Sequence, residues 1–163
     1  RGAAGAVAAG VLLGRQLARE LHLQFVDSDD EVESRTGVDI AFIFEKEGEA
    51  GFRKREAAAI EDLTNMDNVV LATGGGAVIR PENRTHLAGR GFVVYLYTSV
   101  AQQLTRTAKG RERPLLEAGD RRAILEELLE RRDPLYREIA DLVVDTDGRK
   151  VRSVANEIVA HLT

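Results

Sequence analysis

The sequence predicts an α/β protein of three layers, with a central parallel sheet of about five strands between two layers of helices. Three observations lead there. Short runs rich in Val, Leu and aromatic residues alternate with stretches of helical periodicity. Strands separated by helices pair in parallel and are covered on both faces. The chain of 163 residues has no internal repeat or long linker, so it reads as one domain, residues 1–163, large enough to bury a core.

Taken in order, the first helical pattern covers roughly 10–22, where Arg15, Leu17, Ala18 and Leu21 make it amphipathic. "LQFVD" (23–27) is a strand, followed by a helix over 28–36. A helix over 50–64 leads to the strand "NVVLAT" (68–73). A helix over 81–89 precedes the strand "FVVYLYT" (92–98). A helix over 99–109 ends in "AKGRERPLLEAGD" (108–120), which is charged, carries Gly and Pro, and lacks periodicity. Such a loop in a compact domain is expected to be a mobile lid over a site. A helix over 120–132, the strand "LVVDTD" (142–147) and a helix over 150–162 complete the chain.

Composition narrows the function. Apolar residues make up 44% and charged residues 31%, and the net charge of −4 gives no reason to expect a nucleic-acid or membrane partner. No apolar run approaches the ~18–20 residues that span a bilayer. The chain has no cysteine, so disulfides and thiolate zinc sites are excluded. The expected setting is the cytoplasm. Arg1 and the small residues after it faintly resemble a signal peptide, but the pattern runs without a break into the first helix.

In open parallel sheets, ligands bind at the carboxyl ends of the strands. Those ends carry Asp27, Ser28, Asp29 and Asp30; Thr73, Gly74, Gly75 and Gly76; and Asp145, Thr146, Asp147 and Gly148. Asp27 and Asp29 lie two apart and point the same way while the backbone stays extended. Such a pair can hold Mg²⁺ through water and orient a hydroxyl. Ser28 or Asp29 also suits a helix N-cap, which does not exclude that role. Three glycines permit close approach by a ligand and positive φ angles, beyond what a tight turn needs. Arg53 and Glu56 lie three apart on one helix face, most simply as a solvated ion pair, though an arginine forked on a carboxylate is also specific recognition. Arg113 precedes Pro114 and is held extended. Arg131 and Arg132 end a helix, where cations suit the dipole. With Arg55, these arginines near glycine loops fit an anionic ligand. His22, His86 and His161 are scattered, and each reads as structural or exposed.

The stretches "GRQLARELHLQFVDSDDEVESRTGVDI", "FIFEKEGEAGFRKRE", "VVLATGGGAV", "RPLL" and "RRDPLYREIAD" resemble the shikimate kinases, a family of P-loop kinases of small molecules. They span the chain from Gly14 onward in the family's order and spacing. The resemblance implies a nucleoside-monophosphate-kinase-like fold with a lid over 108–120 and a substrate-binding region over 28–60. It implies phosphorylation of the 3-hydroxyl of shikimate by ATP with Mg²⁺, in a monomer. Asp29 matches the aspartate that binds the substrate hydroxyls and serves as base. Asp27 matches the one that helps hold Mg²⁺ through water. Arg53 and Arg132 match the arginines on the shikimate carboxylate, with Glu56 orienting the first. Gly74, Gly75 and Gly76 match the glycines against the ring, and Phe44 and Phe52 the aromatic wall. Arg113 matches the lid arginine on the phosphates, and Arg106 and Arg149 the residues flanking adenine. A gluconate kinase is a related reading that these motifs fit less well.

The opening stretch "RGAAGAVAAGVLLGRQLA" departs from the pattern. G-x-x-x-x-G-K-[ST] supplies amides and a lysine to phosphate and a hydroxyl to Mg²⁺. Counting back from Gly14 puts the lysine position on Gly10 and the hydroxyl on Val11. A slip of one puts them on Val11 and Leu12. Gly10, Val11 and Leu12 thus stand where nucleotide-binding residues are expected, and Val11 where the metal's hydroxyl belongs. The strand expected ahead of the loop is missing or cut short. A binder that holds shikimate and transfers nothing therefore stays open beside the active kinase.

Overall fold

The structure, a computed structural model, describes residues 6–8, 11–108 and 118–162. Five parallel strands form one sheet in the order β2-β3-β1-β4-β5: β1 (Ala6–Ala8), β2 (Gln24–Asp27), β3 (Val69–Ala72), β4 (Phe92–Tyr97) and β5 (Leu142–Asp145). The strand ahead of the opening loop is present, though only three residues long, and it is the central one. The strand order reverses beside it, between β3 and β4, so a crevice opens at that point on the carboxyl rim.

β3 shows why the strands read as unbroken apolar runs: all four of its residues are buried. Val70 faces one helical layer, with Leu13 and Leu17 of α1 (Val11–Leu21) and Val154 and Ile158 of α7 (Val151–Leu162). Leu71 faces the other, with Ile60 and Leu63 of α3 (Ile40–Leu63) and Leu87 of α4 (Pro81–Arg90). A smaller core of Val32, Ile43, Phe52 and Ala59 joins α2 (Ser28–Thr36) to α3.

Two helices are longer than their sequence patterns. α3 begins at Ile40, where Asp39 accepts the Phe42 amide at 2.8 Å, and bends at Gly48, with φ 71° and ψ −176°. The glycines and acids of "EKEGEAG" hide that first segment. α6 runs from Ala118 to Ile139 through Pro134, so Arg131 and Arg132 lie inside a helix and not at its end. Proline removes one helical hydrogen bond, but beyond it Tyr136 stacks on Tyr95 of β4, with ring centroids 4.5 Å apart and planes 4° apart. That packing carries the helix on. α5 covers Val100–Ala108, so 108 and 118–120 of the expected lid are helical; the rest of it, with Arg113, lies outside the described residues. Gly10 lies outside them too.

Candidate functional site

β2 ends at Asp27 and α2 starts at the next residue, with no linker between them. Asp27 is therefore the N-cap, in place of Ser28 or Asp29: its Oδ1 accepts the amides of Asp29 at 2.8 Å and Asp30 at 3.4 Å. Asp29 consequently sits in the first helical turn, and not on extended backbone. Both carboxylates still reach one cavity of about 450 Å³, shared with Gly74, Gly75, Arg132 and Tyr136. Leu125, Leu128 and Leu129 of α6 form its apolar side.

The glycine triplet after β3 has no positive φ; among the described glycines only Gly37, Gly48 and Gly148 do. Its glycines are required for space. A Cβ on Gly76 would collide with the Arg53 guanidinium, and one on Gly75 would stand 3.1 Å from Arg132 Nη1. A Cβ on Gly74 would meet the Asp29 carboxylate at 3.6 Å and Glu56 Oε2 at 3.9 Å. Two arginines and two acids thus converge on a bare backbone turn.

Arg53 and Glu56 are no solvated pair. Glu56 is 1% exposed, and its Oε1 accepts from Arg53 Nη1 at 2.9 Å. Arg53 also lies over Phe52, at 5.2 Å from the ring centre, and Phe52 in turn meets Phe44 with centroids 5.0 Å apart. Burial pushes the Glu56 carboxyl up, against the pull of Arg53. Burial also raises Asp29, with Asp27 repelling its charge. Asp29 Oδ1, Glu56 Oε2 and Arg132 Nε are buried without a hydrogen-bond partner. Among the described residues, four other buried atoms, on Glu20, Ser28, Asn83 and His86, also lack a partner, but they are not on the cavity wall; these three meet at the glycine turn, where a ligand is one explanation for such atoms. An anionic, hydroxyl-bearing molecule would satisfy all three.

Other candidates fall elsewhere. Arg149 is tied to α7, donating to Glu157 Oε1 at 2.6 Å and to Ser153 Oγ at 2.9 Å. Arg55 forks on Glu47 at 2.8 Å through each nitrogen, exposed on the outer face of α3. Val11 and Arg106 belong to α1 and α5, and Leu12 is 74% exposed. No sequence motif singles out Tyr136 or Tyr95, yet both line the cavity. The only available signal is the Tyr inside "DPLY", within a stretch that carries the family resemblance.

The family model "Shikimate kinase" matches residues 11–163. The chain belongs to the shikimate kinase family. It is a small-molecule kinase, and its reaction is the phosphorylation of shikimate. A shikimate kinase of Thioalkalivibrio sulfidiphilus is 62% identical over 146 residues, 90% of this chain and 77% of that one. The structure of a shikimate kinase from Acinetobacter baumannii in complex with shikimate superimposes with a TM-score of 0.87 at 46% identity, covering 97% of this chain and 90% of that one. The enzyme from Aquifex aeolicus gives a TM-score of 0.84 at 34% identity, covering 97% and 95%. These relatives do not favour a binder that transfers nothing.

Proposed function

We infer that the chain moves the γ-phosphoryl group of ATP to the 3-hydroxyl of shikimate, and that the cavity beside β3 is where shikimate sits. Asp29, Gly75 and Arg132 on the cavity wall, with the Arg53 guanidinium against Gly76 next to it, carry this reading. A planar guanidinium matches a carboxylate through parallel hydrogen bonds, and two of them give strong recognition. Arg53 and Arg132 take this part, with Glu56 fixing Arg53 from behind. Phe44 and Phe52, which meet each other beside Arg53 and outside the cavity lining, are the residues the family resemblance assigns to the aromatic wall.

Asp29 then accepts the proton of the attacking hydroxyl. A carboxyl raised by burial is the better base near neutrality. Phosphoryl transfer otherwise rests on positioning and charge neutralisation. Bound Mg²⁺ supplies part of that neutralisation, keeping several waters and needing few protein oxygens. Asp27 fits as one of them, at a strand end and on the cavity wall; Val11, in the place of the hydroxyl, offers none. By the family resemblance Arg113 is assigned to the phosphates, and Arg106 and Arg149 to adenine. At Gly10, Val11 and Leu12 only backbone amides serve the phosphates.

In this reading the chain is one kinase domain, with residues 28–60 binding substrate, working as a cytoplasmic monomer. No helix among the described residues is long and apolar enough to cross a membrane. ADP release measured with and without shikimate tests the proposal. Shikimate should stimulate it; shikimate binding without stimulation would overturn the transfer step.

A further inference from the structure

Tyr136 stands one turn beyond Arg132 on α6. Its ring is held against Tyr95, and Tyr95 is pinned in turn. The Tyr95 hydroxyl donates to Asp133 Oδ1 at 2.7 Å, and Asp133 Oδ2 accepts from Arg137 Nε at 2.8 Å. The Arg137 guanidinium lies 5.8 Å from the ring centre of Tyr95 and 5.6 Å from that of Tyr97. With its ring fixed, Tyr136 aims its hydroxyl at the turn after β3 and donates to the Gly75 carbonyl at 2.6 Å. A Cβ on Gly75 would stand 3.7 Å from that hydroxyl and 3.1 Å from Arg132 Nη1. Tyr136 and Arg132 therefore flank the same peptide, while Arg132 Nε is buried and unpartnered.

We propose that Tyr136 is a positioning residue for the substrate carboxylate, acting through Gly75 and Arg132. By taking the Gly75 carbonyl, its hydroxyl fixes that peptide and stops the Arg132 guanidinium from turning onto it. The donors of Arg132 stay directed at the incoming anion. A guanidinium already bonded to backbone would have to break that bond to bind substrate, so its affinity would fall. Burial pushes the Tyr136 hydroxyl up to about 12, so it remains a donor at neutral pH. This proposal rests on the reading of the cavity as the shikimate site.

Tyr136→Phe keeps the ring and removes the hydroxyl. Calorimetric titration of the whole chain with shikimate, and with methyl shikimate whose carboxylate is masked, reads the effect. Shikimate binding should weaken about tenfold, a difference of about 1.4 kcal/mol, while the affinity for the ester stays the same. Unchanged shikimate binding in Tyr136→Phe, or an equal loss for both ligands, overturns the proposal. Failure of the unaltered chain to bind shikimate overturns the functional reading itself.

Discussion

Gly76 leaves the space that the Arg53 guanidinium fills. A methyl group there would force the arginine away from Glu56, its partner at 2.9 Å. Both charges remain in that variant, so the cost is that of a displaced and strained pair and not of a deleted partner. Gly76→Ala should therefore destabilise the fold and weaken shikimate binding at least tenfold, a factor of about 1.4 kcal/mol. Urea unfolding and calorimetric titration check the two effects; wild-type affinity in the variant would contradict them.

Asp29 sets function against stability. Its carboxyl is raised, chiefly by burial, so the folded chain holds this proton more tightly than the unfolded chain does. Stability therefore falls as pH rises from the ordinary carboxylate value toward the folded one, and the cost is fully present above both. Asp29→Asn should raise the unfolding temperature at neutral pH. That gain should shrink as the pH drops toward the ordinary carboxylate value of about 4. The same change should lower turnover by about 10²–10⁴, the worth of a general base. Thermal unfolding across a pH series tests the sign: an advantage that grows on acidification contradicts it.

Gly48 needs its glycine for conformation alone. Its φ of 71° with ψ −176° suits no other residue, yet nothing lies within 4 Å of where a Cβ would stand. Gly48→Ala should cost about 1–3 kcal/mol with no steric clash. A denaturant midpoint unchanged from the parent would show that the bend in α3 relaxes freely.

The opening loop offers a gain-of-function test. Gly10→Lys with Val11→Ser restores the lysine and hydroxyl in the register counted back from Gly14. One transition-state donor is worth about 10²–10³ in turnover. The double variant should raise shikimate-dependent ADP release by at least about a hundredfold. No gain would mean that phosphate is held by other groups.

The fold is legible where burial dictates sequence. β3 is buried on both faces, so "NVVLAT" could hardly read otherwise, and its glycines mark the rim of the sheet. Asp29, Arg53 and Arg132 lie at or near that rim, in stretches the family resemblance covers. What escapes is the context that only packing supplies. The spacing of Arg53 and Glu56 does not reveal that the acid is buried beneath the glycine turn. Pro134 looks like a stop until Tyr136 is seen on Tyr95. A tyrosine in an apolar strand reads as core, and nothing in "FVVYLYT" says that one hydroxyl braces Asp133. The glycine triplet suggests backbone freedom, whereas it is the neighbouring arginines that need the room.

β1 has a consequence for how the molecule assembles. β2 reaches the sheet only through β3, and β5 only through β4; Ala6–Ala8 joins the two halves. Val7 must find Leu71 on one side and Val93 on the other. Such distant pairings close late and slowly, because loop entropy is lost before they form. The seam of the sheet is therefore a three-residue strand near the start of the sequence, which waits for partners made long after it. Its pairing on both sides completes the sheet and with it the crevice on the carboxyl rim.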